Sequence, residues 1–352
     1  MSIWSGVPQD VHGKWVEYVR EQNTNPSKFF ALLESFPRAY PINLLKSGIQ
    51  HFMGSYGFEK DFLPGLPPML ASEFKKVAYY QPGEVIEATP TLFNILDRKK
   101  VRWQYYWLGK LDATQIQKFS SNDAPVKILF TDILDKLGHK LGPDLHSLRR
   151  VLGSVDSFIE QLVTKSQKEY PDLHVLVFSD HGMTTITELL DLEKLVKSLD
   201  LELGRDYLAF YDSTVARFWF SSAAAETKVV DFLKTLKLGR VLSEDDLRTL
   251  RIDFADKRRY GQTIFLANPG VYVYPNYFHC SLPRYFKGTH GYDPENPTTQ
   301  GIVVYDGPAT LTLGRTPGII DLLPTMLDII GMPKPCTCEG ASLVNNQSDK
   351  KQ

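Results

Sequence analysis

Two short apolar runs, residues 126–130 (Val-Lys-Ile-Leu-Phe) and 174–178 (His-Val-Leu-Val-Phe), bracket a stretch of different period. Between them Leu145, Leu148, Val151, Leu152, Val155, Phe158, Ile159 and Leu162 recur at spacings of three and four, the stripe of an amphipathic helix. Pro143 stands near the start of that helix, where its missing amide proton does no harm. Parallel strands cannot be joined by a tight turn, so strand, helix, strand in this order predicts a right-handed crossover. Short runs that are apolar on both faces belong to buried parallel strands. The fold class expected is α/β, a mostly parallel central sheet flanked by helices.

The rest of the chain is arranged around that unit. The opening stretch 5–13 is rich in turn formers and reads as a loop. Residues 15–90 mix aromatics and prolines without a clear period and read as an insertion covering one edge of the sheet. A helix is expected at 91–97 and a strand at 101–107. Residues 206–287 form a smaller inserted α+β subdomain in this reading. In it, 207–211 pairs with 215–220, helices follow at 224–237 and from the N-cap Ser243, and 264–266 with 271–274 makes a hairpin around Asn268-Pro269-Gly270. The α/β core, 1–205, resumes over 288–343 with a strand at 301–305 and a helix at 318–330; 344–352 is a polar tail.

Composition narrows the function. Forty basic and forty-one acidic side chains leave a net charge of −1, so no global field favours nucleic acid or an anionic membrane. No run of about 18 apolar residues encodes a spanning helix, and the first residues lack the pattern of a signal peptide. The chain as written is therefore expected to be cytoplasmic. Cys280, Cys336 and Cys338 are too few for a disulfide framework and read as ordinary thiols.

The chemistry concentrates beyond the strand ends, where open α/β sheets collect ligands. Asp135-Lys-Leu-Gly-His139 follows the first strand, and its four-residue spacing lets a carboxylate and an imidazole reach one ion from a single helical turn. Asp180-His181-Gly182 follows the second, with the glycine turning the chain so that both side chains converge. Gly288-Thr289-His290-Gly291 adds a third imidazole. Two carboxylates and three imidazoles form the ligand chemistry of a zinc-type hydrolytic centre. His51, His146, His174 and His279 lack a neighbouring carboxylate pattern and read as surface or packing residues.

These segments, in this order, resemble the alkaline phosphatase superfamily, in its type I phosphodiesterase and nucleotide pyrophosphatase branch. A weaker match is the late segment from Asp321 through Pro324, Thr325 and Asp328 to Gly331 and Pro333. The resemblance implies an alkaline-phosphatase-like α/β fold and a two-zinc centre. Asp135, His139 and His290 correspond to the ligands of one ion, and Asp180 and His181 to two ligands of the other. It also implies a threonine or serine nucleophile and a further metal-binding aspartate, and the opening 2–13 resembles the stretch that follows them, so both are expected upstream of Met1. Thr184, Thr185 and Thr289 are then residues that orient ligands, not the nucleophile.

The function implied is metal-dependent hydrolysis of a small-molecule phosphate ester or diester. One strong zinc site, a weak second site and impaired catalysis are expected for an N-terminally incomplete chain, with an exposed sheet edge where a first strand is missing. A non-catalytic metal-binding pseudoenzyme, or a phosphatase or phosphotransferase of the same superfamily, is the alternative. Nothing in the sequence fixes the oligomeric state.

Overall fold

The protein is described by a computed structural model covering residues 1–21, 63, 65–77, 80–86, 89–279, 286–309 and 315–344. Most of the insertion expected at 15–90, His51, Cys280 and the tail beyond 344 lie outside the described residues.

The chain opens with two single-turn helices, α1 (Ser2–Ser5) and α2 (Gln9–His12), where the turn-rich sequence predicts a loop. Strands β1 (Tyr18–Arg20) and β2 (Phe74–Lys76) form an antiparallel pair. Helix α3 (Leu92–Arg98) starts on a reciprocal cap between Thr91 and Asn94, and strand β3 (Trp103–Trp107) follows. Next come α4 (Ala113–Ser120), β4 (Val126–Phe130), α5 (Ile133–Leu141), α6 (Leu145–Glu169) and β5 (Val175–Phe178). The crossover helix α6 starts where the sequence places it, one residue after its N-cap Asp144, and runs seven residues beyond Leu162.

The two runs that frame the crossover do not pair with each other. Strand β4 lies parallel to β3, from Trp103 opposite Val126 to Trp107 opposite Phe130. Strand β5 instead pairs antiparallel with β14 (Val303–Asp306), Phe178 opposite Val303. The continuous parallel central sheet expected from the sequence is thus not formed among the described residues; shorter sheets take its place. Periodicity marks a strand but leaves its partner open, because pairing is decided by contacts between segments far apart in sequence.

After β5 come the short β6 (Thr184–Thr185), β7 (Glu188–Leu190) and α7 (Leu192–Lys197). The 206–287 block is built on an antiparallel sheet in the order β10–β11–β9–β8, with β8 (Tyr207–Tyr211), β9 (Val215–Phe220), β10 (Gly239–Val241) and β11 (Thr263–Ala267). Helix α8 (Ala223–Thr235) covers it through Val229 and Leu233, and α9 (Glu244–Thr249) is capped by Ser243 as expected. The hairpin expected around Asn268-Pro269-Gly270 is not formed. Strand β12 (Val271–Val273) leaves β11 and pairs parallel with β7, and the Gly270 carbonyl accepts from the amides of Thr187 and Glu188. The turn carries the chain from one sheet to another.

The largest core lies inside this block: Phe210, Tyr211, Phe218, Trp219, Val229, Leu233 and Phe265 are at most 1% exposed. Full burial of each such side chain is worth about 1.5–3 kcal/mol. Tyr18 of β1 and Phe74 of β2 belong to the same cluster, so the described ends of the 15–90 segment dock here. A second cluster packs Leu92 and Leu96 of α3 on Leu323 and Leu327 of α10 (Leu322–Ile329), beside Val126 and Ile128 of β4. On the other face of the β3–β4 pair, Tyr106 and Leu129 meet Ile116, Phe119 and Phe158 of α4 and α6. The β3–β4 pair is therefore a helix-covered parallel unit, and its carboxyl end delivers the chain to α5.

Candidate metal centre

Helix α5 holds the first two functional side chains. Asp135 sits in its first turn, where the N-terminal dipole favours a carboxylate, and His139 lies one turn on. Both Nε2 of His139 and Nε2 of His290 stand 3.4 Å from Asp135 Oδ1. His290 follows the two-residue strand β13 (Gly288–Thr289), which pairs antiparallel with β6, so the segments after β5 and before His290 are stitched together.

Glycines allow these segments to meet. A Cβ on Gly288 would fall 2.6 Å from the carbonyl oxygen of Gly138, and one on Gly138 would fall 2.8 Å from Met183 Cε. With neither present, β13 lies directly on α5. The Lys287 amide donates to the His139 carbonyl at 2.8 Å, and His139 Nδ1 meets the Gly288 carbonyl at 2.9 Å. Beyond β5, Gly182 plays the same part: a side chain there would strike the Thr298 carbonyl at 2.3 Å. The Gly182 amide donates to Thr299, and Ile302 N donates to Ser179 Oγ. His181 is thereby placed with its ring almost parallel to that of His290, centroids 3.7 Å apart.

Among the described residues, Asp135, His181 and His290 offer ligand atoms that all lie within 4.8 Å of one another. The resemblance grouped His139 with Asp135 and His290, and His181 with Asp180. The structure sets His181 beside His290 as well, and Asp180 Oδ1 is 3.6 Å from His181 Nε2. Asp180 is the most exposed of the five, at 53% of its side chain.

A divalent cation fits this donor set. Asp135 Oδ1 is buried without a hydrogen-bond partner, although two imidazole nitrogens face it. A lone carboxylate oxygen left so would be costly, and a cation is its natural partner. His139 Nδ1 and His181 Nδ1 each meet a backbone carbonyl oxygen, the latter that of Gly182 at 2.8 Å. A carbonyl can only accept, so Nδ1 carries a proton in both rings and Nε2 is the nitrogen left to face a metal. The facing His290 imidazole holds the Asp135 carboxyl below the usual carboxylate range, against its burial. Burial pushes the His139 imidazole below its ordinary value, opposed by the Gly288 carbonyl and Asp135. Charged carboxylate and neutral imidazole are the protonation states that metal binding requires.

Among the described residues, the remaining histidines are not part of this group of ligand atoms. His12 is buried, with Nε2 2.9 Å from Ser2 Oγ, and burial pushes it down to about 4. His174 bonds Tyr305 Oη at 2.6 Å, and His279 bonds Tyr272 Oη at 3.0 Å. Cys336 and Cys338 are free thiols. Sequence reasoning missed an aromatic pair: Trp107, 66% exposed, and Phe130 meet edge to face at 5.6 Å. They end the parallel strands β3 and β4 on the edge that leads into α5, and an aromatic closing each apolar run was the available signal.

The helix-flanked frame has an alkaline-phosphatase-like α/β fold, with acid and imidazole side chains gathered beyond its strand ends. The profile of the type I phosphodiesterase / nucleotide pyrophosphatase family matches residues 81–293, and the chain belongs to that family. Human (Homo sapiens) ectonucleotide pyrophosphatase/phosphodiesterase family member 5 is 24% identical over 230 residues, 63% of this chain and 46% of the relative. The chain thus spans about half the length of that curated relative. Murine ectonucleotide pyrophosphatase / phosphodiesterase 5 shares the fold with a TM-score of 0.62 at 15% identity, over 98% of this chain and 87% of the other. The same murine protein, inactive and in complex with AMP, superposes with a TM-score of 0.60 at 16% identity, over 98% and 86%. Phosphonoacetate hydrolase from Sinorhizobium meliloti 1021 gives 0.52 at 13% identity, over 86% and 76%.

Proposed function

We propose that this chain is a zinc-dependent phosphodiesterase of the nucleotide pyrophosphatase kind. Asp135, His139 and His290 hold one ion firmly, and Asp180 with His181 supply two ligands of a second, weaker site. The observation that carries this reading is the orphaned Asp135 Oδ1 with two imidazole nitrogens 3.4 Å away. Bound zinc supplies positive charge for phosphoryl oxygens and lowers the pKa of a coordinated hydroxyl or water. The residues themselves set the stage: backbone carbonyls fix the tautomers of His139 and His181, and the β6–β13 pairing holds His290 against α5.

The substrate class that fits is a nucleoside 5′-phosphodiester. Trp107 and Phe130 offer an aromatic face on the edge leading to the centre, and a structural relative has been solved with AMP. Thr184 Oγ1 is taken up by Thr298 Oγ1 at 2.5 Å, and Thr185 and Thr289 belong to the β6–β13 ladder, so each serves to orient ligands.

Zinc loading followed by metal analysis, with hydrolysis of p-nitrophenyl thymidine 5′-monophosphate, tests the reading. Stoichiometric zinc, with turnover lost in His290→Ala, supports it. Zinc without any turnover identifies a metal-binding pseudoenzyme, and failure to retain zinc removes the basis for the assignment.

A further inference from the structure

His139 has a neighbour that ligand chemistry does not explain. The ring of Phe286 stands edge-on to it, centroids 6.1 Å apart and planes 85° from parallel. The backbone beside Phe286 is fixed by the Lys287–His139 hydrogen bond, but its ring is held by two others. Tyr272 stacks on it at 6.3 Å and 23°, and His279 packs against it at 4.4 Å and 52°. His279 is itself anchored: its amide donates to Asn276 Oδ1 at 2.8 Å, and its Nδ1 meets Tyr272 Oη at 3.0 Å. Asn276, only 2% exposed, is tied in turn through Nδ2 to the Val273 carbonyl. A rigid series therefore runs from β12 through Asn276, His279 and Phe286 to His139.

We propose that His279 is a positioning residue for the metal centre: it fixes the Phe286 ring, and that ring keeps His139 turned with Nε2 toward Asp135. The proposal rests on the metal-centre reading above. A single hydrogen bond from Nδ1 to the Gly288 carbonyl pins one corner of the His139 ring and leaves it free to tilt about that contact. An edge-to-face neighbour removes the tilt, provided the neighbour cannot move. His279 meets that condition, since its own position is set by a buried asparagine and a tyrosine hydroxyl. Burial also pushes the His279 imidazole down to about 4, so near neutral pH it acts as an uncharged ring. No proton transfer is asked of it.

The test compares His279→Ala with His279→Phe, which restores a ring of similar outline without the nitrogen. Two readouts are needed on the full chain. The first is the imidazole ¹H–¹⁵N spectrum of the metal-free protein, with the His139 signals assigned through His139→Gln. The second is zinc affinity by competition with a chromophoric chelator. In His279→Ala the His139 signals broaden or divide and zinc affinity falls roughly 10–100-fold, the usual loss for an outer partner of a metal ligand. His279→Phe restores both. Should His279→Ala fail to fold, His279→Gln, which can keep a polar contact to Tyr272 but has no ring, takes its place with the same expectation. Unchanged His139 signals with unchanged zinc affinity overturn the proposal, as does a loss that His279→Phe fails to repair. A wild type that takes up no zinc, yet whose His139 signals respond to the substitution, sinks the metal reading and leaves the positioning role standing.

Discussion

His181 and His290 lie face to face, their ring centroids 3.7 Å apart and their planes 19° from parallel. The contact brings a ligand nitrogen of each ring within 4.8 Å of a carboxylate oxygen of Asp135.

Removing one ring should separate binding from folding. His290→Ala takes away a ligand and the stacking partner of His181 but leaves the β6–β13 pairing. Zinc affinity is expected to fall by more than the roughly 10–100-fold typical of outer-shell partners. The melting temperature of the metal-free protein should change little. Competition titration and scanning calorimetry on the same preparation check both halves.

Gly288→Ala should act through geometry alone. Its new Cβ would sit 2.6 Å from the Gly138 carbonyl oxygen, so β13 must move away from α5. We expect a loss of about 1–3 kcal/mol in stability, the usual cost of overpacking, together with weaker zinc binding. Denaturant unfolding and zinc titration measure them; a variant as stable as wild type with full zinc affinity would contradict the close contact.

Trp107→Ala should affect substrate binding more than the chemical step. If the exposed indole stacks on a base, its removal costs about 1–3 kcal/mol. That loss appears as a raised KM for a nucleoside diester, with little effect on bis-p-nitrophenyl phosphate. Steady-state kinetics on the two esters provides the comparison, and equal losses on both would count against a base platform.

Stability should fall on acidification, with His12 as a main contributor. Its imidazole, pushed by burial from the ordinary 6.5 down to about 4, stays neutral in the folded chain while the unfolded chain takes up a proton. The unfolded state binds more protons between those values, so the contribution is present above about 6.5 and disappears as pH drops toward about 4. The shift corresponds to about 3 kcal/mol. His12→Gln should flatten the dependence of melting temperature on pH across that window; an unchanged slope would show that His12 is not the group responsible.

How much of this was legible in advance differs from element to element. Local rules placed α6 from its three-and-four stripe, α9 from its capping residue Ser243, and β8 with β9 from adjacent aromatic runs. The four-residue interval between Asp135 and His139 fixed their common helical face. The partner of β5 and the path of β12 were misread, because a short apolar run carries no address for the strand it will meet. His279 and Phe286 were passed over since no motif surrounds them; their proximity to His139 arises only after β12 and β13 have docked.

By itself the sequence singled out the candidate ligands Asp135, His139, Asp180, His181 and His290, because helical spacing and strand ends are properties of neighbouring residues. Tertiary structure alone decided that His181 stacks on His290, that Gly138 and Gly288 let two segments touch, and that an aromatic series stands behind His139. Those relations join residues brought together by sheet pairing and core packing, and such contacts are set by the shape of the whole chain.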